Sequence, residues 1–340
     1  MIYRSKAPLR IGLAGGGTDV SPYSDLHGGA ILNTTISLSA YASIETIHQS
    51  KIIIEAFDRK ELQEFAVSKE LPINGTLDLL KGVYNRIHKQ FDIPVTGIKL
   101  STFVDAPAGS GLGTSSTLVV AIVGAFVEMY KLPLGDYDIA HLAYEIERYD
   151  LSLAGGRQDQ YAATFGGVNF MEFYADDKVI VNPLRIRPEY MHELENNLVL
   201  YFTATSRESA AIIKEQVKNV NNKNEKSIEA MHQLKEQAKM MKDALLKGKL
   251  HDFGEILDFG FQQKRKMADN ISNSSIEEIY DAAKKAGATG GKISGAGGGG
   301  FMIFYCPNNS SYAVKEKLLQ YGGEIKNYTF TSHGLTNWSI

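Results

Sequence analysis

The 340-residue chain has one cysteine, one tryptophan and nine prolines, and no apolar run long enough to span a membrane. A single thiol, Cys306, excludes an internal disulfide and a cysteine-built metal cluster, a usage expected in a reducing compartment. Its place in Phe301-Met-Ile-Phe-Tyr-Cys marks it as a small core residue. The N-terminus lacks the charged-then-apolar pattern of a signal peptide, so the expected location is the cytoplasm, with no membrane partner. A formal charge of −3 gives no general attraction to polyanions, which argues against nucleic acid as a partner. With 44% apolar residues the chain can bury a large core, and its length suits two domains.

Glycine is what the chain has in quantity. Most of its 32 glycines fall in five stretches, 12–17, 28–29, 109–113, 155–167 and 287–300. Turn glycines would scatter, so these loops are candidates to line one site. The central one is Asp105-Ala-Pro-Ala-Gly-Ser-Gly-Leu-Gly-Thr-Ser-Ser116, between an alternating strand pattern at 97–104 and an apolar run of helical length ending at Tyr130. A strand, a glycine loop and a helix N-terminus together make an anion site. Glycine lets backbone N–H groups approach a phosphate, and the unpaired N–H groups of the first turn add a positive dipole end. The loop matches neither the Gly-Lys-Ser/Thr phosphate loop nor the dinucleotide fingerprint.

Other segments have two readings each. Asp19, after the glycine turn 15–17, caps a strand-ending loop or faces a ligand. His27 lies on a surface hairpin or faces substrate, and His88 reads as a solvated cation ending a helix over 78–88. On the helix 135–149, Ile139, Leu142, Ala143 and Ile146 share one face and Glu145 and Glu147 lie away from it. Asp159 falls in the first turn of a short element after Gly155-Gly156, where the helix dipole keeps a carboxylate ionised. A domain boundary is expected near 174–196, dividing the chain into 1–180 and 181–340. Ser206 opens a helical region broken at 219–224, after which Met231, Leu234, Ala238, Met241 and Leu245 form a core stripe. A helix over 276–286, a five-glycine loop, the strand 301–306, a helix over 310–321 and a strand to about Thr331 complete the chain.

Pro107-Ala-Gly-Ser-Gly-Leu-Gly-Thr-Ser-Ser116 resembles the central motif of the GHMP kinases, and two more segments resemble that family's other motifs, near either end. They are Lys6-Ala-Pro-Leu-Arg10 running to Gly-Gly-Gly-Thr-Asp19, and Lys292-Ile-Ser-Gly-Ala-Gly-Gly-Gly-Gly300. The resemblance implies a two-domain α+β fold, with an N-terminal ribosomal-S5-like domain and a C-terminal ferredoxin-like domain. It also implies ATP and Mg²⁺ as cofactors. Pro107, Gly109, Ser110, Gly111, Leu112, Gly113, Thr114, Ser115 and Ser116 would cradle the phosphates. Ser115 and Glu147 would hold the metal, Asp159 would orient or deprotonate the acceptor hydroxyl, and Arg10 would offset charge on the moving phosphoryl group. Gly16, Gly17, Thr18, Asp19, His27, Gly156, Arg157, Gly297 and Gly298 would surround the substrate. The C-terminal glycine loop either approaches the phosphates or serves only close packing.

Galactokinases of the family carry a Glu-His pair where this chain has Gly16-Gly17, which argues against galactose and leaves room for a larger sugar. The pattern is most similar to the D-glycero-D-manno-heptose 7-phosphate kinases, which act on the anomeric hydroxyl on the route to nucleotide-activated heptose for surface polysaccharide. The expected partners are then ATP and a sugar phosphate, and a homodimer is open. A phosphorylated substrate needs a cationic anchor, for which Arg157, Lys292 and Arg207 are candidates. A fucokinase-like sugar 1-kinase and a non-catalytic sugar sensor on the same scaffold are the alternatives.

Overall fold

The structure, a computed structural model, describes residues 1–205 and 209–340. Ser206 and Arg207 lie outside the described residues. The first sheet is built from β1 (Ile2–Ala14), β2 (Gly29–Thr46), β3 (Lys51–Ala56), β4 (Glu61–Ala66), β5 (Ile98–Val104), β6 (Val168–Phe173) and β7 (Val179–Pro183). All its pairings are antiparallel except that of β3 with β5. The long β2 gives its first half to β6 and its second to β5. The second sheet has β8 (Leu198–Phe202), β9 (Gly290–Ile293), β10 (Phe301–Tyr305) and β11 (Glu324–Ile325) in the order β11-β8-β10-β9.

The division into 1–180 and 181–340 needs correction at two points. β7 runs past 180 because it completes the hairpin with β6. The final strand β12 (Thr336–Ser339) returns to pair with β1, so the chain's last segment belongs to the first sheet. The strand expected to end near Thr331 is also displaced. Only Glu324 and Ile325 pair with the second sheet, and Phe330 makes an isolated bridge to Ile36.

Eleven α-helices occur among the described residues. They are α1 (Tyr23–His27), α2 (Asp78–Gln90), α3 (Thr114–Tyr130), α4 (Asp136–Glu145), α5 (Gln158–Phe165), α6 (Pro188–Asn197), α7 (Ser209–Asn221), α8 (Glu225–Leu246), α9 (Phe253–Lys264), α10 (Ser274–Lys285) and α11 (Ser311–Leu319). The helix α3 is central. Val119 through Phe126 are all buried, so although valine and isoleucine are modest helix formers, burial on every side fixes the conformation. It packs on β1 and β2, and α2, α4 and α5 lie beside it. One continuous core joins the first sheet, α2 and α3 to α8, α9 and the inner faces of β8 and β10, which binds the two halves together. The gap at 222–224 between α7 and α8 falls at the expected break, with the Asn224 side chain accepting from the Ser227 N–H at 3.1 Å.

His88 is a correction. It is buried, one ring nitrogen 2.9 Å from the Tyr84 carbonyl, and burial pushes its pKa down.

Candidate active site

The central loop leaves β5 and enters α3 through Gly109, Gly111 and Gly113, at φ 72°, 82° and 79°. This left-handed backbone is open to glycine at little cost. The loop's carbonyls are bonded into the protein: Ser110 O accepts from Phe301 N at 2.8 Å, Gly111 O from Ser294 Oγ at 2.7 Å, and Leu112 O from Arg10 N at 3.1 Å. The helix start has no side-chain cap. Its first-turn N–H groups have no intrahelical partner and are left for an anion.

A cleft of about 260 Å³ opens on this helix end. Gly109, Gly111, Gly113, Thr114, Ser115 and Ser116 line it, with Arg10, Gly17, Asp19, Glu147, Gly156, Asp159, Lys264 and Gly295. A smaller cleft of about 230 Å³ continues from it past Asp19 and Arg148 to Tyr144 and Lys214.

At its floor the Asp159 carboxylate receives Arg10 Nε and Nη2, each at 2.7 Å from Oδ1. Arg10 is buried on β1, with Nη1 on the Gly111 carbonyl, so the guanidinium ties the acid to the loop. Asp159 stands in the first turn of α5, against the start of α3; a Cβ at Gly113 would meet its Cγ at 3.1 Å.

Glu147, which helical spacing sets away from the apolar face of 135–149, is nevertheless buried. The chain passes from α4 into a π-helical turn over Ile146–Asp150. The wider turn shifts the register of side chains, as π-turns at functional positions do. Glu147 is thereby only 1% exposed, its carboxylate bonded to the Gln160 amide, which also donates to Ser116 Oγ at 3.1 Å. Burial above all pushes its pKa up; its closest cation is Arg148, at 3.9 Å. Gln160 Oε1 is buried without a partner. The Glu147 carboxylate and the exposed Ser115 hydroxyl, both on the cleft, are oxygen donors that fit a hard divalent cation. No cluster of three His, Cys, Asp or Glu capable of holding a metal occurs among the described residues, so an ion here would draw further ligands from phosphate and water.

Asp19 has both roles open to it. Its Oδ2 accepts the Arg157 and Gln158 N–H groups at 2.9 and 3.0 Å and so caps α5. The carboxylate also lines the cleft. Close approach requires Gly156, where a Cβ would fall 1.9 Å from Asp19 Oδ2. Burial raises its pKa, opposed by the Gln158 N–H.

Several expected substrate contacts lie elsewhere. The Arg157 guanidinium is turned away from the cleft and buried, bonded to Asp25, Ser24 and the Tyr174 carbonyl. Thr18 is fully buried, its hydroxyl on the Gly15 and Ala30 carbonyls. His27 is exposed, edge-on to His232 at 4.9 Å, and lines neither cleft. Gly297 and Gly298 pack on Ile271, Gly298 N donating to its carbonyl at 2.8 Å. Ser110 and Leu112 are buried under the loop, and Pro107 lies outside the lining. The residue that sequence reasoning missed is Lys264, buried at the end of α9 with its ammonium on the Gly295 carbonyl. Only its place at the end of an amphipathic helix marked it, and any surface lysine has that. Burial first, then Arg10, lowers its pKa to about 8, against the pull of Asp19.

The family model for the GHMP kinases N terminal domain matches residues 78–167, and that for the GHMP kinases C terminal matches residues 241–324. The chain is 45% identical to the D-glycero-alpha-D-manno-heptose 7-phosphate kinase of Campylobacter jejuni, over 99% of both chains. A crystal structure of a D-glycero-D-manno-heptose 1-phosphate kinase from Bacteroides thetaiotaomicron superposes with a TM-score of 0.86, at 45% identity and covering 99% of each chain. The galactokinase of Lactococcus lactis, at 19% identity, 98% of this chain, 95% of its own and a TM-score of 0.78, shares the fold. By its two domain matches and its full-length relatives, the chain belongs to the GHMP kinase family.

Proposed function

We propose that the chain transfers the γ-phosphoryl group of ATP to the anomeric (C1) hydroxyl of D-glycero-D-manno-heptose 7-phosphate, in the cytoplasm, on the route to nucleotide-activated heptose for surface polysaccharide. The observation that carries this is the Arg10–Asp159 pair at 2.7 Å, set at the floor of a cleft whose other wall is the glycine-loop end of α3. The relatives that are 45% identical over nearly the whole chain supply the sugar. Their names differ in the position of the phosphate, 7 in one and 1 in the other, so position is what an assay must decide.

The N–H groups at the start of α3 receive the phosphates of ATP. Glu147 and the Ser115 hydroxyl would hold Mg²⁺, which would supply positive charge to offset that of the phosphates. Asp159 accepts a hydrogen bond from the acceptor hydroxyl, lines its oxygen up with the γ-phosphorus and takes the proton as the new O–P bond forms and the bond from the γ-phosphorus to the β,γ-bridging oxygen breaks, ADP leaving with that oxygen. Arg10 keeps that carboxylate in place and lies next to the charge that spreads over the transferring group. Asp19, held by two N–H groups, presents its remaining oxygen to sugar hydroxyls.

A fucokinase-like activity is the second reading, favoured by 27% identity over 98% of this chain to a bifunctional fucokinase/GDP-fucose pyrophosphorylase of Arabidopsis thaliana; the match spans 32% of that longer protein. Mg·ATP consumption with free hexoses, free heptose, heptose 1-phosphate and heptose 7-phosphate decides. Preference for the 7-phosphate with product bearing phosphate at C1 supports the proposal. Preference for free fucose replaces it.

A further inference from the structure

The second cleft is left over by this mechanism. It encloses about 230 Å³, against about 260 Å³ for the first, and the two are continuous. Asp19, Arg148 and the segment 153–155 line both, whereas Arg10, Asp159 and the glycine loop line the first alone. Asp19 thus lies where the clefts meet, and Asp159 on one side of it. A sugar with its reacting hydroxyl on Asp159 and others on Asp19 directs its far end into the second cleft.

The two spaces differ in charge. The first is balanced, with Arg10, Arg148 and Lys264 against Asp19, Glu147 and Asp159. The second sets Arg148 and Lys214 against Asp19 alone, and one Asp19 oxygen already accepts two N–H groups. Its excess is positive. Lys214, on α7, is exposed and makes no ion pair among the described residues. Arg148 follows Glu147 in the π-turn, and its side chain is 12% exposed. Two of its five N–H donors are engaged, Nη1 with the Leu153 carbonyl and Nη2 with that of Gly156, each at 3.2 Å. One donor on each Nη remains. Glu147, its ion-pair partner, is 3.9 Å away, beyond hydrogen-bond reach.

The two carbonyls hold the guanidinium against the segment that walls the cleft. Close approach there depends on Gly155, where a Cβ would fall 2.2 Å from Arg148 Nη2. A planar cation fixed in this way, with donors to spare, suits phosphate oxygens. Val20, Ile213 and Val217 make much of the remaining wall apolar, which strengthens a charge-assisted contact. Arg157 cannot supply this charge, since its guanidinium is taken up by Asp25 and the Tyr174 carbonyl.

We propose that the second cleft receives the substrate's own phosphate, bound between Arg148 and Lys214, at the end of the sugar away from Asp159. The two cations are then specificity determinants, one from each half of the chain. This inference rests on the proposed sugar-phosphate substrate.

The test is a selectivity ratio, kcat/KM for heptose 7-phosphate over kcat/KM for unphosphorylated heptose, in the unaltered protein, Lys214→Met, Lys214→Arg and Arg148→Met. The expected ratio is on the order of 10² or more in the unaltered protein and in Lys214→Arg, which keeps the charge. It falls about tenfold or more in Lys214→Met and in Arg148→Met, through a higher KM for the phosphorylated sugar. Lys214 is exposed, so its substitution leaves the thermal midpoint unchanged and reads recognition apart from fold. A ratio that survives in Lys214→Met overturns the inference, and a raised KM for ATP in that variant would then assign the second cleft to the nucleotide. An equal fall in Lys214→Arg also overturns it, since charge would not be what the cleft supplies. No preference for the phosphorylated sugar in the unaltered protein removes the proposed substrate together with this inference, an outcome distinct from a preference that the substitutions leave intact.

Discussion

The molecule has two glycine-rich loops, and they do different work with the same residue. In the loop 109–113, left-handed glycines turn the carbonyls into the protein and leave N–H groups at the end of α3 facing the cleft. In the loop 295–300, glycine removes bulk between backbones. A Cβ at Gly295 would lie 2.7 Å from Gly111 Cα, and one at Gly300 would lie 2.5 Å from Ser110 O. The second loop lines the cleft only through Gly295 and Ala296 and otherwise braces the first. Glycine density therefore locates a crowded junction, and the direction of the carbonyls decides which loop meets a ligand.

The largest expected effect lies on the ligand-facing side. Asp159→Asn should lower kcat about 10²-fold or more with nucleotide affinity nearly unchanged, since the loop does not depend on that charge; single-turnover rates and nucleotide titration measure both. Unchanged kcat would leave the first loop binding nucleotide without chemistry at its mouth.

Gly295→Ala should destabilise the protein by about 2–3 kcal/mol and lower kcat about tenfold, because the strained residue pushes on Gly111. Chemical denaturation and steady-state rates report the two parts. If stability falls and kcat does not, the bracing is structural only.

Glu147→Gln should raise the Mg²⁺ concentration for half-maximal rate about tenfold. In metal-free protein the sign is opposite. Burial raises the folded pKa of Glu147. Its contribution to stability is thus present below the unfolded carboxylate value, near 4.3, and lost as pH rises through the folded value. At neutral pH without metal, Glu147→Gln should melt higher than the unaltered protein.

A smaller effect is expected from alkaline titration. Lys264 loses its proton above about 8. Since Lys264 lines the cleft with Arg10 and Asp19, KM for the anionic substrates should rise by up to about tenfold per pH unit above that value. A flat KM to pH 9.5, roughly one and a half units higher, would mean the ammonium is not used in binding. Smallest is Gly297→Ala, facing Ile271 at φ 120°, for which about 1–2 kcal/mol of lost stability and KM values within about twofold are expected.

The sequence carried much of this because several motifs act locally. The glycine loop, the apolar α3 and Asp159 in a first turn are decided by neighbours within a few residues. What it hid depends on contacts between distant segments. Glu147 turns inward through a π-turn that no helical periodicity announces. Arg157 sits two residues from Asp159 yet is captured by Asp25, which the helix α1 brings from far away in sequence. Thr336-Asn-Trp-Ser339 has no strand signal of its own and becomes one only because β1 offers an unpaired edge. Lys264 reaches the cleft from α9, far along the chain from the Arg10 and Asp19 that line it too.

The return of β12 makes one sheet out of widely separated stretches of chain. Tyr3 to Lys6 pair with Ser339 to Thr336, and Ile2 and Ile340 exchange both backbone hydrogen bonds at 3.0 Å. The edge of the strand that carries Arg10 is therefore covered by residues that follow the whole second sheet in sequence. Cutting the chain ahead of β12 would leave that edge exposed as a template for pairing with other strands, a route to aggregation that the intact sheet closes.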